Sequence, residues 1–221
     1  MARMKNGPFG PIIGKIGNKI AYIRLGEPII KMAPHKSNKP RTPAQIAASD
    51  RMRVVMELIS PLNSFTNVGF KLAARGTNKT AQNKAVSYQL NNALQGVYPD
   101  LSVDYSKVRL AEGKLNPPAD TTVTYADGKL TFTWDKDADD TYNNYRLHVM
   151  MVAYLPDTKT EYCCIMGARK LAGEDFLPFV PADGTKPYAM VKETCAETYL
   201  AFISNDGEAI SNTVYTGRVV F

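Results

Sequence analysis

Two hydrophobic rhythms divide the chain. Between Thr42 and Gly96 apolar residues recur every three or four positions, which is the spacing of one helix face. Thr42-Pro43-Ala44-Gln45 supplies an N-cap threonine, a proline at the first helical position and a capping-box glutamine. A helix is therefore expected from Pro43 to about Ser60, with Ala48, Met52, Val55, Ile59 and Leu62 as its apolar stripe. Pro61 ends it or restarts a short segment containing Phe65, Val68, Phe70 and Leu72. A second helix fits Thr80 to Gln95, with Val86, Leu90, Ala93 and Leu94 on one face and Gly96 as its stop. Helices this short cannot enclose a core alone and must pack on something else.

From Pro99 onward the period becomes two. Thr122 to Tyr125 and Lys129 to Asp135 flank Asp127-Gly128, which predicts a hairpin with a type I′ turn and places Leu130, Phe132 and Trp134 on one face. Tyr145, Leu147, Val149, Met151 and Ala153 alternate in the same way. Further strands fit Glu161 to Met166, Phe176 to Val180, Tyr188 to Lys192, Thr198 to Ser204 and Ile210 to Val220. This regular series predicts an antiparallel β-sandwich.

The front of the chain has neither rhythm at first. Residues 1–17 are rich in glycine and lysine and read as an arm that becomes ordered on another surface. Asn18 to Arg24 and Glu27 to Met32 form a hairpin around Leu25-Gly26, and Pro28 confines the second strand to an edge or a strand start. Residues 33–42 are a basic, proline-containing linker. The expected class is α+β, with an N-terminal β-hairpin and two or three helices in residues 1–99 and the sandwich in residues 100–221.

Charge sharpens this division. The 221 residues carry a formal net charge of +6. Residues 1–99 hold 15 Lys and Arg against three acidic residues, whereas residues 100–221 hold 12 against 18. One end is thus expected to face something anionic and the other to face water or a basic surface. The N-terminus is interrupted by Gly, Pro and Lys every few residues, so no secretory signal and no membrane span are read, and synthesis in the cytoplasm is expected. Cys163, Cys164 and Cys195 are odd in number, and adjacent strand cysteines point to opposite faces, so reduced thiols are expected.

Candidate chemistry is sparse. Gly10-Pro11-Ile12-Ile13-Gly14-Lys15 has three residues between its glycines and Ile16 after the lysine, where a phosphate-binding loop needs four residues and a Ser or Thr. Asp135, Asp137 and Asp139 alternate as carboxylates do in a calcium loop, but the sixth and twelfth positions counted from Asp135 are Asp140 and Arg146 rather than Gly and Glu. They form only a weak metal candidate beside a solvated loop. His35 and His148 lie in no nucleophile constellation, so no enzyme and no cofactor are expected. The functional weight falls on Arg3, Lys5, Lys15, Lys19, Arg24, Lys31, Lys36, Lys39 and Arg41, spread along the arm, hairpin and linker. Such charges suit acidic protein surfaces and equally nucleic-acid phosphates, with no base-reading motif alongside.

Two resemblances extend this reading. Leu130-Thr131-Phe132-Thr133-Trp134-Asp135 resembles the second strand of fibronectin type III domains, and Thr198 to Gly207 followed by Ile210-Ser211-Asn212 resembles their closing hairpin. Gly14-Lys15-Ile16-Gly17-Asn18, Tyr22, the basic proline stretch and Thr42-Pro43-Ala44-Gln45 leading to Ser60-Pro61-Leu62 resemble an uncharacterised family found in Bacteroidota genomes and mobile elements. The organisation is similar to that of phage or phage-like particle subunits, in which an arm clasps a neighbour and an immunoglobulin-like domain projects. The expectation is a non-enzymatic structural or adaptor subunit, with protein partners or self-assembly and a location in a virion. The alternatives are nucleic-acid binding through the basic arm and a surface adhesin with a carbohydrate-binding sandwich.

Overall fold

The computed structural model describes residues 3–4, 7, 10–35, 38–137, 146–178 and 194–221. The chain divides into two compact units, Met1–Thr42 and Pro43–Phe221. The composition boundary at residue 99 therefore falls inside the larger unit.

The smaller unit is an antiparallel meander of β1 (Arg3–Met4), β2 (Ile12–Ile16), β3 (Lys19–Arg24) and β4 (Glu27–Met32), paired in chain order. The expected hairpin is present, and its turn places Leu25 at φ 50° and Gly26 at φ 89°, the double left-handed geometry of a type I′ turn. The arm expected to become ordered on another surface is corrected, because Gly14–Ile16 pairs with β3 and Arg3–Met4 pairs with β2 within the same unit. Backbone pairing along β3 orders a stretch whose composition alone gives no period.

The larger unit has three layers. In the first are α1 (Pro43–Ile59), α2 (Asn63–Gly69), α3 (Lys71–Ala74) and α4 (Ala81–Asn92). Thr80 caps α4, its hydroxyl accepting from the Asn83 N–H at 3.2 Å. The helix ends at Asn92, earlier than its pattern predicts, because β5 (Leu94–Gln95) turns through Gly96 to pair with β6 (Ser102–Val103). Gly96 has φ 86°, so it serves that turn rather than a helix stop.

The other two layers are antiparallel sheets. The first is ordered β10–β9–β12–β13, built from β9 (Leu147–Leu155), β10 (Thr160–Cys164), β12 (Cys195–Ser204) and β13 (Val214–Val220). The second is ordered β11–β8–β7, from β7 (Thr122–Ala126), β8 (Lys129–Thr133) and β11 (Glu174–Pro178). Asp127-Gly128 forms the expected turn, both residues having positive φ. Leu130, Phe132 and Trp134 face inward together. The α+β class and the sandwich follow directly. The expected strand Tyr188 to Lys192 and the residue Tyr145 lie outside the described residues.

The four-stranded sheet is covered on both faces. Val149, Met151, Ala153, Leu200 and Phe202 meet the three-stranded sheet. Met150, Val152, Tyr154, Tyr199 and Ala201 meet Leu58, Ile59, Leu62, Phe65 and Phe70 of the helical layer. This double burial explains the near-continuous apolar runs of β9 and β12, which simple alternation does not describe. Cys163 packs on the helical side and Cys164 on the sandwich side, as strand geometry requires, and all three cysteines are free thiols.

Candidate assembly interface

The register of the meander sorts its side chains. Ile16 pairs with Lys19 and Lys19 with Met32; Ala21 pairs with Ile30; Ile23 pairs with Pro28. Paired residues share a face, and so do residues two apart on a strand, so these seven form one surface. Lys19 is its single charge. The opposite surface carries Lys15, Ile20 and Lys31 in one row, Tyr22 and Ile29 in the next, and Arg24 beside Glu27 in the third. Here the Lys31 ammonium lies 5.3 Å from the centre of the Tyr22 ring. The meander is thus apolar on one side and basic on the other.

A sheet with an apolar face is stable when a second layer covers it. Among the described residues the unit shows no such layer. Among its described residues only Ala21 is buried, whereas Ile30 is 59% exposed and Met32 55% exposed. Ile16 and Ile23 are exposed beside them. Three strands of about six residues present roughly 300 Å² of flat area, well under the roughly 800 Å² per partner of a stable two-chain complex. One apolar face alone is too small for a tight dimer.

The basic residues read from the sequence distribute as follows. Lys15, Arg24 and Lys31 share the basic face, Lys19 stands on the apolar face, Arg3 is on β1, and Lys39 and Arg41 are exposed in the linker. Lys5 and Lys36 lie outside the described residues. Residues 1–42 hold nine Lys and Arg against one acidic residue, and residues 43–221 hold 18 against 20. The charge asymmetry therefore belongs to the meander and linker. The larger unit is nearly neutral, which weakens simple head-to-tail charge pairing between copies.

The acidic run gives less. Asp135 accepts a hydrogen bond from the Asp137 N–H at 2.9 Å, so one carboxylate already closes a local turn, and Asp139 lies outside the described residues. Among the described residues no group of three or more His, Cys, Asp or Glu stands together as metal ligands. His148 lies 2.9 Å from the Gly167 carbonyl through Nδ1, and His35 is exposed in the linker. No helix among the described residues is long and apolar enough to cross a membrane.

The comparison with known families spans both units. Residues 5–217 match a family described as a family of unknown function, DUF6266. The chain belongs to that family. No curated protein matches it. The match covers almost the whole chain and includes residues of both units.

Sequence reasoning found the basic residues and missed the apolar face. The signal was present in Lys19-Ile20-Ala21-Tyr22-Ile23-Arg24 and Glu27-Pro28-Ile29-Ile30-Lys31-Met32, but which side of each strand is shared depends on register, which pairing alone fixes.

Proposed function

We propose that the protein is a non-enzymatic structural or adaptor subunit of a larger assembly, docking through its N-terminal meander. The observation that carries this reading is the separation of an exposed apolar face, formed by Ile16, Ile23, Ile30 and Met32, from a basic face bearing Lys15, Arg24 and Lys31. A two-faced strip too small for a tight dimer suits insertion between neighbours, where each face meets a different surface and the contact areas add. The three-layer unit then serves as the body carried by that clasp. A phage or phage-like particle is the proposed setting, on the strength of the arm-and-sandwich organisation alone.

A photo-crosslinking residue at position 30, introduced into the full chain in its native cells, is expected to yield protein adducts of discrete mass. Absence of any adduct there, with normal expression and folding, would contradict the docking role.

A second reading has its own observation. Lys15 and Lys31 lie in one row beside Tyr22, an arrangement able to hold a phosphate backbone next to an aromatic ring. Under that reading a crosslinker at position 31 gives nuclease-sensitive adducts, and retention on DNA falls steeply with salt.

A further inference from the structure

The meander has two unequal edges. β1 is two residues long, whereas β4 is six residues long and pairs, among the described residues, with β3 alone. An open strand edge is a ready template for another strand. Which backbone groups of β4 face outward follows from its register. The Ala33 N–H donates to the Asn18 carbonyl at 2.7 Å, so these two form a bonded pair, and bonded pairs recur at every second position of an antiparallel ladder. Ile20 with Lys31, Tyr22 with Ile29 and Arg24 with Glu27 are therefore bonded as well. Pro28, Ile30 and Met32 turn their backbone groups to the open edge, and their side chains belong to the apolar face.

This edge is complementary to itself. Set antiparallel to a second β4 with Ile30 opposite Ile30, the two isoleucines exchange both backbone bonds, and each Met32 N–H meets the Pro28 carbonyl of the other copy. Pro28 lacks an N–H, so the bond it cannot make falls at the outer end of the ladder, where the Met32 carbonyl stays open to water. The cross-strand pairs are then Ile30 with Ile30 and Pro28 with Met32 on the apolar face, and Lys31 with Ile29 on the other. Only shifts of two residues keep outward groups opposed. One such shift sets Lys31 opposite Lys31, and the reverse shift centres both prolines and leaves the Ile30 carbonyls unpaired. Charge and proline together select one register.

We propose that β4 pairs edge to edge with β4 of a second copy, antiparallel and centred on Ile30. The pairing rests on the docking reading and names one neighbour as this chain itself. It joins two apolar faces of roughly 300 Å² into one of roughly 600 Å², closer to the roughly 800 Å² per partner of a stable complex.

The test puts a cysteine at the centre of the ladder in the full chain. Opposed bonded residues stand about 5.5 Å apart between Cα atoms, within the range of a disulfide. Ile30→Cys is expected to form a disulfide-linked dimer under diamide at least ten-fold faster than Met32→Cys, whose two copies lie at opposite ends of the ladder. The two positions are similarly exposed, 59% and 55%, so random collision would link them equally. Met32→Pro removes an outward N–H and no bond to β3, and adding it to Ile30→Cys is expected to slow linkage at least ten-fold. Equal rates for the two cysteine variants, or no linkage of Ile30→Cys beyond that of the wild-type chain with its native cysteines, would overturn the proposal. The cysteine comparison decides this even if the proline variant does not fold. Such a failure is distinct from failure of the docking reading, which is decided by whether position 30 gives adducts of any discrete mass in native cells.

Discussion

Glu161 lies in surroundings that oppose its charge. It sits on β10 against the first turn of α2, where the Ser64 hydroxyl reaches one carboxylate oxygen and the other is buried with no hydrogen-bond partner among the described residues. Burial pushes its carboxyl up to about 7, above the ordinary glutamate value of 4.5. The folded state therefore holds this proton more tightly than the unfolded chain does. Its stabilising contribution is complete below pH 4.5 and is lost as pH rises through about 7. For a half-buried group screened by solvent the difference is about 1–2 kcal/mol. Glu161→Gln is accordingly expected to match the wild type in denaturant melts at pH 5 and to exceed it by about 1 kcal/mol at pH 8. Glu197 is fully buried on β12, where it accepts from Tyr215 at 2.6 Å and from Arg218 at 2.7 Å. Arg218→Ala leaves that carboxylate short of its cation, and a loss of about 2–3 kcal/mol is expected in the same melts. Combining it with Glu197→Gln should recover most of that loss.

Among the elements, legibility followed locality. The α1 start, the Leu25-Gly26 and Asp127-Gly128 turns and the inward face of β8 depend on neighbouring residues, and all were readable. The α1 stripe was readable only in part. Val55, Ile59 and Leu62 are buried, but Ala48 and Met52 are exposed, so the pattern marks the buried face only over the second half of the helix. The helical layer's place on the four-stranded sheet was not readable, because it depends on contacts such as the Ser64 hydroxyl to the Glu161 carboxylate, 97 residues apart. The apolar face of the meander was hidden for the same reason: a register has to exist before it can sort side chains. Two predictions belong here. Thr80→Ala removes the α4 cap and should lower stability by about 1 kcal/mol in thermal melts. Leu25→Asn places a residue tolerant of positive φ in the β3–β4 turn and should slow amide hydrogen exchange in both strands; unchanged or faster exchange would contradict the turn assignment.

At the scale of the molecule, the overall charge of +6 is misleading until it is divided where the fold divides. The first unit is then a basic strip of 42 residues, and the second is a nearly neutral body with its own two-sided core. The body buries two apolar clusters of its own. Among the described residues of the strip only Ala21 is buried, and its proposed role as a clasp follows from that difference. Rate-zonal sedimentation of extracts from cells that naturally make the protein tests the claim most directly, with the chain followed by antibody. The account predicts that wild type sediments with a large particle and that an Ile30→Glu, Met32→Glu chain remains at the position of a free 24.4 kDa protein. Wild type found only at that free position, or the double variant sedimenting with the particle as wild type does, would contradict it.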